Sequence, residues 1–536
     1  MLSGAQSASF IKFYNYPSLR HRCRVPDCDP ETGGQYEAAW LNYSIPREDE
    51  DWASCEVYSR RNVTDVSCEA DTFTGEREEC KQFVMDDSLF HSTVVTEWGL
   101  VCDGHQGQLM VDLGYTCFTV GVFLGVLVPG FFADRFGRKR LMFVTMLISA
   151  VSTLVSAFSP SYTFFLVTRV FSGFGTLGTF VTMCILAVEI TSARHKSLVG
   201  NLVHILWAPG QMVMALMAYF IRDWRTLHIA VSVPSMNKIR SKLYRNLLLS
   251  VFISLLLYPL VPESPRWLLS VNKNEEANKI IRQISRIHKK SAPNMELENK
   301  PGNKVDTVAV EQEKISPMRL ISRPGIGLTT SILCLNWLVV DFCYYGLSLQ
   351  SVNLAGDIFT NFVLSALVEL PAVVLGMLGM DWAGRVALLV LCQVLGGVSC
   401  ILAGLLQPPW VLPFSLLGKF SSSVVFLIVY LYTAEIYPTQ VRGMGLALTG
   451  TMARVGGFIA PYIAGLGVTN PSLPFLVFGI SAIIGGLASV LLPETRGAKL
   501  PETVEDVERI VRDRSGCFWS KSRWRDQTNS GSGEYL

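Results

Sequence analysis

Five charged residues stand inside long apolar stretches of this 536-residue chain: Arg169, Asp341, Glu369, Lys419 and Arg454. A charge at the centre of a bilayer costs about 2.5–3.5 kcal/mol on insertion scales, so such residues mark pathways or paired sites. Their chemistry is electrostatic: an arginine can hold a carboxylate through two parallel hydrogen bonds, and a carboxylate can hold an ammonium group. Around Arg454, helical spacing brings Ala447, Gly450, Thr451, Gly457, Phe458 and Pro461 to one side, and most of these are small. Two readings are open: Arg454 docks an anionic group of a substrate, or it forms a fixed salt bridge with Glu369 or Asp341.

Half of the residues are hydrophobic, 17% are charged and the formal net charge is +2. Mean hydropathy is positive, +0.34. That balance excludes an ordinary soluble enzyme. The pair Gly418-Lys419 in "LLGKFSSS" lacks the earlier glycine of a phosphate-binding loop, and no metal-ligand cluster or cofactor motif stands out. The basic residues sit in short loops and one polar linker, which gives no nucleic-acid footprint.

Apolar runs long enough to cross a hydrocarbon core about 30 Å thick recur along the chain. Eleven spans are expected, near 108–131, 141–158, 162–190, 197–221, 245–261, 324–350, 357–380, 386–406, 411–436, 444–466 and 472–492. A polytopic α-helical membrane protein follows, because each span must satisfy its own backbone polar groups in lipid. The turns "ADRFGRKR", "SARHKS" and "TQVRG" carry Lys and Arg, whereas "SPSY", "QPPW" and "GVTNPS" carry none. The positive-inside rule makes the first set cytoplasmic and puts the N-terminal region outside. Six of the 13 cysteines (Cys23, Cys28, Cys55, Cys68, Cys80 and Cys102) fall in that region, beside glycosylation sequons at Asn42 and Asn62. An even set with sequons predicts a disulfide-stapled, glycosylated ectodomain whose pairing the spacing leaves open.

The expected organisation is then a Cys-rich external region over 1–107, a first transmembrane bundle over 108–270, a cytoplasmic linker over 271–322, a second bundle over 323–495 and a cytoplasmic tail over 496–536. The bundles echo each other. "ADRFGR" sets Asp134 four residues before Arg138, and "MDWAGR" sets Asp381 four before Arg385, an offset of 247. Glu189 in "AVEITSARHKS" answers Glu435 in "TAEIYPTQVRG" at an offset of 246, and "PESPR" and "PETRG" close the two halves. Parallel repeats are what a transporter needs to expose one midplane site to either side in turn.

"ADRFGRKR", "PESPRWLL" and "PETRG" resemble signatures of the major facilitator superfamily. "TEWGLVCD", "RDWRTL", "YYGLSL", "SALVELP" and "AEIYPTQVRGMG" narrow the resemblance to its organic cation, anion and carnitine transporter family (solute carrier family 22). The resemblance implies two six-helix bundles, with the uncharged spans at 141–158, 386–406 and 472–492 as peripheral helices facing lipid. It also implies that cation-selective members carry aspartate at the position of Arg454, whereas anion and carnitine members carry arginine. Lys419 in "GKFSSSVVF" is similar to the carnitine and anion branches. Tyr344, Tyr345 and Glu369 could nevertheless hold an ammonium by cation–π and Coulomb attraction, or the tyrosines could simply pack between helices.

Asp134, Arg135, Gly137, Arg138, Glu189, Asp381, Arg385, Glu435 and Arg442 resemble the superfamily's gating latch, in which charge pairs hold the inward face shut. Topology signalling alone would explain the basic residues but not Glu189 and Glu435. His204, Trp207 and Gln211, with Asn201 one turn earlier, form either a polar cavity stripe or a single hydrogen-bonded histidine with neighbours.

Two departures from the family pattern stand out. Only "MLSGAQSASFIKFYNYPSLR" precedes the external loop, so the family's first helix is expected to be missing, and there is no signal peptide. "MNKIRSKLYRN" at 236–246 reads as an insertion ahead of the 245–261 span. The expected function is a secondary transporter of small organic ions in the plasma membrane, most naturally an organic cation or carnitine-like zwitterion. Coupling to Na+ or H+ is left open. The competing expectations are an organic anion exchanger, a non-transporting member that keeps the fold, and a sugar porter.

Overall fold

Thr93 opens the segment that ties the N-terminal region to the helices. Its hydroxyl accepts from the Thr96 amide while the Thr96 hydroxyl accepts from the Thr93 amide, and Gly99 closes the turn in the left-handed region. The computed structural model describes residues 21–26, 28–30, 36–48, 51–61, 68–80, 82–86, 88–102, 105–191, 205, 207–232, 258, 261–271, 273–287, 324–351, 354, 356–438, 442–468, 470–496, 501 and 506–509. The side chains of Asp134 and Arg442 lie outside the described residues, as do Asn62, Asn201, His204, the 236–246 stretch and all of the 245–261 span except Tyr258 and Val261.

The N-terminal region is built from short antiparallel pairs: β1 (His21–Cys23) with β6 (Phe83–Met85), β2 (Arg47–Glu48) with β3 (Asp51–Trp52), and β4 (Glu56–Arg60) with β5 (Phe73–Glu79). A short helix α1 (Leu41–Ser44) packs inside, and α2 (Val94–Trp98) follows the sheets. Cys23, Val25, Leu41, Ile45, Ala53 and Phe73 make its small core. So few apolar side chains need covalent help. The six predicted cysteines supply it as Cys23–Cys80, Cys28–Cys68 and Cys55–Cys102, which fixes the pairing that spacing left open. Arg22 and Asp29 form a buried pair at 2.8 Å beneath them. The otherwise helical chain thus carries strands only outside its apolar helices, among the described residues.

The first bundle contains α3 (His105–Phe136), α4 (Arg138–Ser156), α5 (Tyr162–Ile190), α6 (Trp207–Phe220) and α7 (Trp224–Ser232). Two helices, α8 (Pro265–Ser270) and α9 (Asn274–Ile287), lie between the bundles. The second contains α10 (Pro324–Gln350), α11 (Ile358–Ala383), α12 (Arg385–Leu405), α13 (Val411–Ile436), α14 (Arg442–Gly465) and α15 (Ser472–Ser489). Eight described helices are long and apolar enough to cross a membrane. Of the eleven expected spans, α14 falls short in hydropathy because Arg454, glycines and threonines dilute it. The span at 197–221 is described only in part.

Within the first bundle α4 and α5 are zipped by hydroxyl pairs, Thr145 with Thr179 at 3.1 Å, Ser149 with Thr176 at 2.9 Å and Thr153 with Ser172 at 3.1 Å. Small polar contacts of this kind take the place of the hydrophobic drive that is weak between helices in lipid. The outward rows of α4 (Val144, Leu147, Val151), α12 (Leu391, Leu395, Val398) and α15 (Ile480, Ile484, Leu487) are apolar and exposed. That is the composition of lipid-facing helices, as expected for the three uncharged spans. The halves meet along α3 with α14 and α6 with α11. Near the N-terminal region Phe90, Phe359 and Phe362 join one apolar cluster with Tyr115, Trp224 and Leu349, which links the two halves.

Candidate functional site: a double ion pair buried in the second bundle

Helix α10 places Asp341, Tyr344, Tyr345 and Ser348 within two turns, so they share a face. Around it stand α11 with Glu369, α13 with Lys419, α14 with Arg454 and, from the first bundle, α6 with Gln211. Lys419 Nζ lies 3.1 Å from Glu369 Oε1, and both side chains are almost wholly buried. The Tyr344 hydroxyl donates to Glu369 Oε1 at 2.8 Å, and Gln211 Nε2 donates to Glu369 Oε2 at 3.4 Å. Lys419 also donates to the Ser348 hydroxyl and to the Tyr344 carbonyl oxygen at 3.3 Å, and its ammonium stands over the Tyr344 ring. Glu369 therefore receives donors from three helices, one of them across the interface between halves.

Arg454 pairs with Asp341, not with Glu369: Nη1 donates to Asp341 Oδ2 at 3.1 Å. Asp341 is fully buried. Its Oδ1, and Arg454 Nε, have no hydrogen-bond partner among the described residues. The small residue that lets α14 approach is Gly456, whose Cβ would collide with the Leu338 carbonyl of α10. Spacing from Arg454 had singled out its neighbour Gly457. Two turns farther along α14, the Tyr462 hydroxyl meets the Thr116 hydroxyl of α3 at 2.9 Å. Tyr344 and Tyr345 rings meet edge to face at 5.3 Å, so the tyrosines both pack against each other and line the ion pairs.

Trp207 stands apart from this group and meets Phe180 edge to face. Arg169 is also elsewhere: its Nη2 lies 3.3 Å from His228 Nε2, and His228 Nδ1 lies 2.8 Å from the Ser156 hydroxyl, all buried between α4, α5 and α7. Glu97 of α2 accepts from Trp224 Nε1 at 2.8 Å and from the Arg225 guanidinium, which fastens α2 to α7. Burial of the Glu97 carboxyl works to raise its pKa. The hydrogen bonds from Arg225 and Trp224 and the Arg225 charge outweigh it, leaving the group below the usual glutamate range.

The opposite end carries the repeated motif. Arg138 Nε lies 3.2 Å from Glu189 Oε2, and Arg385 Nη2 lies 3.3 Å from Glu435 Oε1. Arg138 Nη1 donates back to the Ala133 carbonyl at 3.2 Å and Arg385 Nη1 to the Met380 carbonyl at 3.1 Å, the fifth residue upstream in each case. Gly137 and Gly384 both turn the chain at positive φ, 95° and 97°, to start α4 and α12. Two carboxylates missed from the sequence complete the motif. Glu263 accepts from the amides of Arg138 and Lys139 at 3.1 and 3.0 Å, and Glu494 accepts from those of Arg385 and Val386 at 2.9 and 3.0 Å. Each caps a helix N-terminus, where backbone donors and the helix dipole favour an anion. Their signal was present: "PESPR" and "PETRG" each set a glutamate after a proline at the close of a half. Asp381 is exposed and 3.9 Å from Arg385, and Arg135 is exposed. Asn42 is exposed on α1.

Two buried ion pairs thus sit in the second bundle, with Gln211 of the first bundle reaching one of them. Comparison with known proteins identifies the family. The family profile described as "Sugar (and other) transporter" matches residues 72–506. Human organic cation/carnitine transporter 2 is 33% identical over 508 residues, covering 91% of this chain and 86% of that one. Mouse solute carrier family 22 member 4 is 32% identical, covering 92% and 88%. Among solved structures, the inward-open xylose transporter XylE of E. coli superposes with a TM-score of 0.58 at 18% identity, covering 75% of this chain and 90% of that one. The human organic anion transporter MFSD10 gives 0.50 at 15% identity, with 74% and 87% covered. The chain is a multi-pass membrane transporter of the major facilitator superfamily and belongs to its organic cation and carnitine family, solute carrier family 22.

Proposed function

We propose that this protein moves small organic ions, organic cations or carnitine-like zwitterions, across the plasma membrane by alternating access. The observation that carries the reading is the Lys419–Glu369 pair with the Tyr344 hydroxyl on the same carboxylate. A carboxylate at the edge of an aromatic pair is suited to a substituted ammonium group, which binds by charge and by the ring face. Arg454 lies one layer away, where a substrate carboxylate could reach it. A cation entering down a 100 mV potential gains about 2.3 kcal/mol per charge, so accumulation needs no nucleotide.

The domain organisation fits this use: a disulfide-stapled region over 1–107 outside, bundles over 108–270 and 323–495, a cytoplasmic linker over 271–322 and a cytoplasmic tail over 496–536. Arg138–Glu189 and Arg385–Glu435 each lie within one half. In the proposed cycle they stiffen the ends of α5 and α13 so that each half rocks as one body, with Asp134 and Arg442 completing the latch. The presence of Arg454 favours organic anion exchange as a second reading, and its pairing with Asp341 weighs against it.

Uptake of labelled tetraethylammonium, carnitine and para-aminohippurate into proteoliposomes containing the purified chain tests the reading. Saturable uptake of tetraethylammonium or carnitine is expected. Uptake of para-aminohippurate alone would establish the anion reading, and uptake of none would leave a non-transporting member.

A further inference from the structure

We propose that Asp341 is the charge filter of the site: it occupies Arg454 as a built-in stand-in for a substrate carboxylate and so keeps simple organic anions out. The proposal rests on the reading that the two ion pairs line the substrate path. Lys419 is saturated by Glu369, Ser348 and the Tyr344 carbonyl, which leaves Arg454 as the cation of the site with donor capacity to spare. Its contact to Asp341 is a single one, Nη1 to Oδ2 at 3.1 Å. Arg454 Nε and Asp341 Oδ1 are both buried and without hydrogen-bond partners among the described residues.

Unmade bonds of this kind are costly in a buried setting. A carboxylate that reached Nε and Nη together would be held in the fork geometry that Asp341 does not achieve. Space for it exists: one turn from Arg454 a Cβ added at Gly450 would meet nothing within 4 Å, and at Gly457 the nearest atoms are Tyr345 and Asp341 at 3.5 and 3.8 Å. The charged and titratable groups around Asp341 are Arg454 from α14, Tyr115 from α3 and Tyr345 on its own helix, with Glu369 beyond Tyr345. Two carboxylates and two cations make this cluster neutral. A free anion must therefore displace Asp341 and leave its charge buried. A zwitterion can satisfy both orphaned atoms at once, and a cation can settle on Asp341 Oδ1 or Glu369. Removing the Asp341 charge should convert the site to one that prefers anions.

The test uses the purified full chain and ligand-induced thermal stabilisation, which does not depend on turnover. Asp341→Asn is expected to bind para-aminohippurate about tenfold more tightly than the unmodified chain, as one charge-assisted contact allows. Asp341→Glu should keep the original preference, and Asp341→Asn combined with Arg454→Gln should lose the gain. If Asp341→Asn is isolated only in the presence of para-aminohippurate, the added carboxylate is replacing the missing one, which supports the proposal. No gain in a folded Asp341→Asn protein, or an unfolded one that the carboxylate does not rescue, overturns it. Absence of transport by the unmodified chain would instead count against the proposed function, so the two failures are distinguishable.

Discussion

Lys419 and Glu369 form a buried ion pair at 3.1 Å between α13 and α11, and the Tyr344 hydroxyl of α10 donates to the same carboxylate at 2.8 Å. Three helices of one bundle therefore converge on a single charge, and Gln211 of the other bundle reaches it too. Removing one partner of a buried pair leaves the other uncompensated, at about 3–5 kcal/mol. Glu369→Gln is expected to lower the thermal midpoint of the purified protein strongly. Glu369→Gln combined with Lys419→Met should recover much of that loss without restoring uptake. A double variant no more stable than the single one would show that the pair contributes no coupling.

The turns at Gly137 and Gly384 are predicted to be intolerant of any side chain. Both have φ near +95°, and a Cβ at either would come within 2.6 or 2.7 Å of Glu263 or Glu494. Gly137→Ala and Gly384→Ala should each destabilise by roughly 1–3 kcal/mol from backbone conformation alone, because their positive φ is combined with an extended ψ that essentially only glycine adopts, with a further cost as the capping glutamate is pushed away. Thermal unfolding checks this, and an alanine variant as stable as the unmodified chain would contradict it.

Glu97 supplies a pH prediction. Its pKa in the folded chain is below the ordinary glutamate value of about 4.3. A carboxyl of this kind contributes stability that is fully present above the unfolded pKa and lost as pH falls through the folded pKa. The stability difference between the unmodified chain and Glu97→Gln should therefore be constant from pH 7 down to about pH 5 and shrink only in more acidic solution. A difference that fades between pH 7 and pH 5 would show that Arg225 and Trp224 do not hold the carboxylate.

Much of this arrangement is legible in the sequence. The repeat of Asp134/Arg138 in Asp381/Arg385 anticipated two turns of the same geometry, because a short loop between spans has few ways to reverse. Charges such as Asp341, Glu369, Lys419 and Arg454 stood out because nothing else in an apolar helix costs as much. What spacing could not supply was partnership. Which carboxylate answers Arg454 depends on how α10, α11 and α14 cross, and that is set by close approach at Gly456 rather than by any pattern in one helix. Glu263 and Glu494 were overlooked for a similar reason: a carboxylate is read as a charge in a loop, whereas here each caps a helix more than a hundred residues away. Trp207 shares the helical face of Gln211 in sequence, yet only Gln211 reaches Glu369.

The most direct test of the central claim is uptake of labelled tetraethylammonium and carnitine into proteoliposomes containing the full chain, set beside the same protein carrying Glu369→Gln. Saturable uptake that falls at least about tenfold in the variant is the predicted result, as expected for loss of a buried charge contact worth about 1.5–3 kcal/mol. Uptake of either cation that is equal in the two proteins would contradict a site built on Glu369.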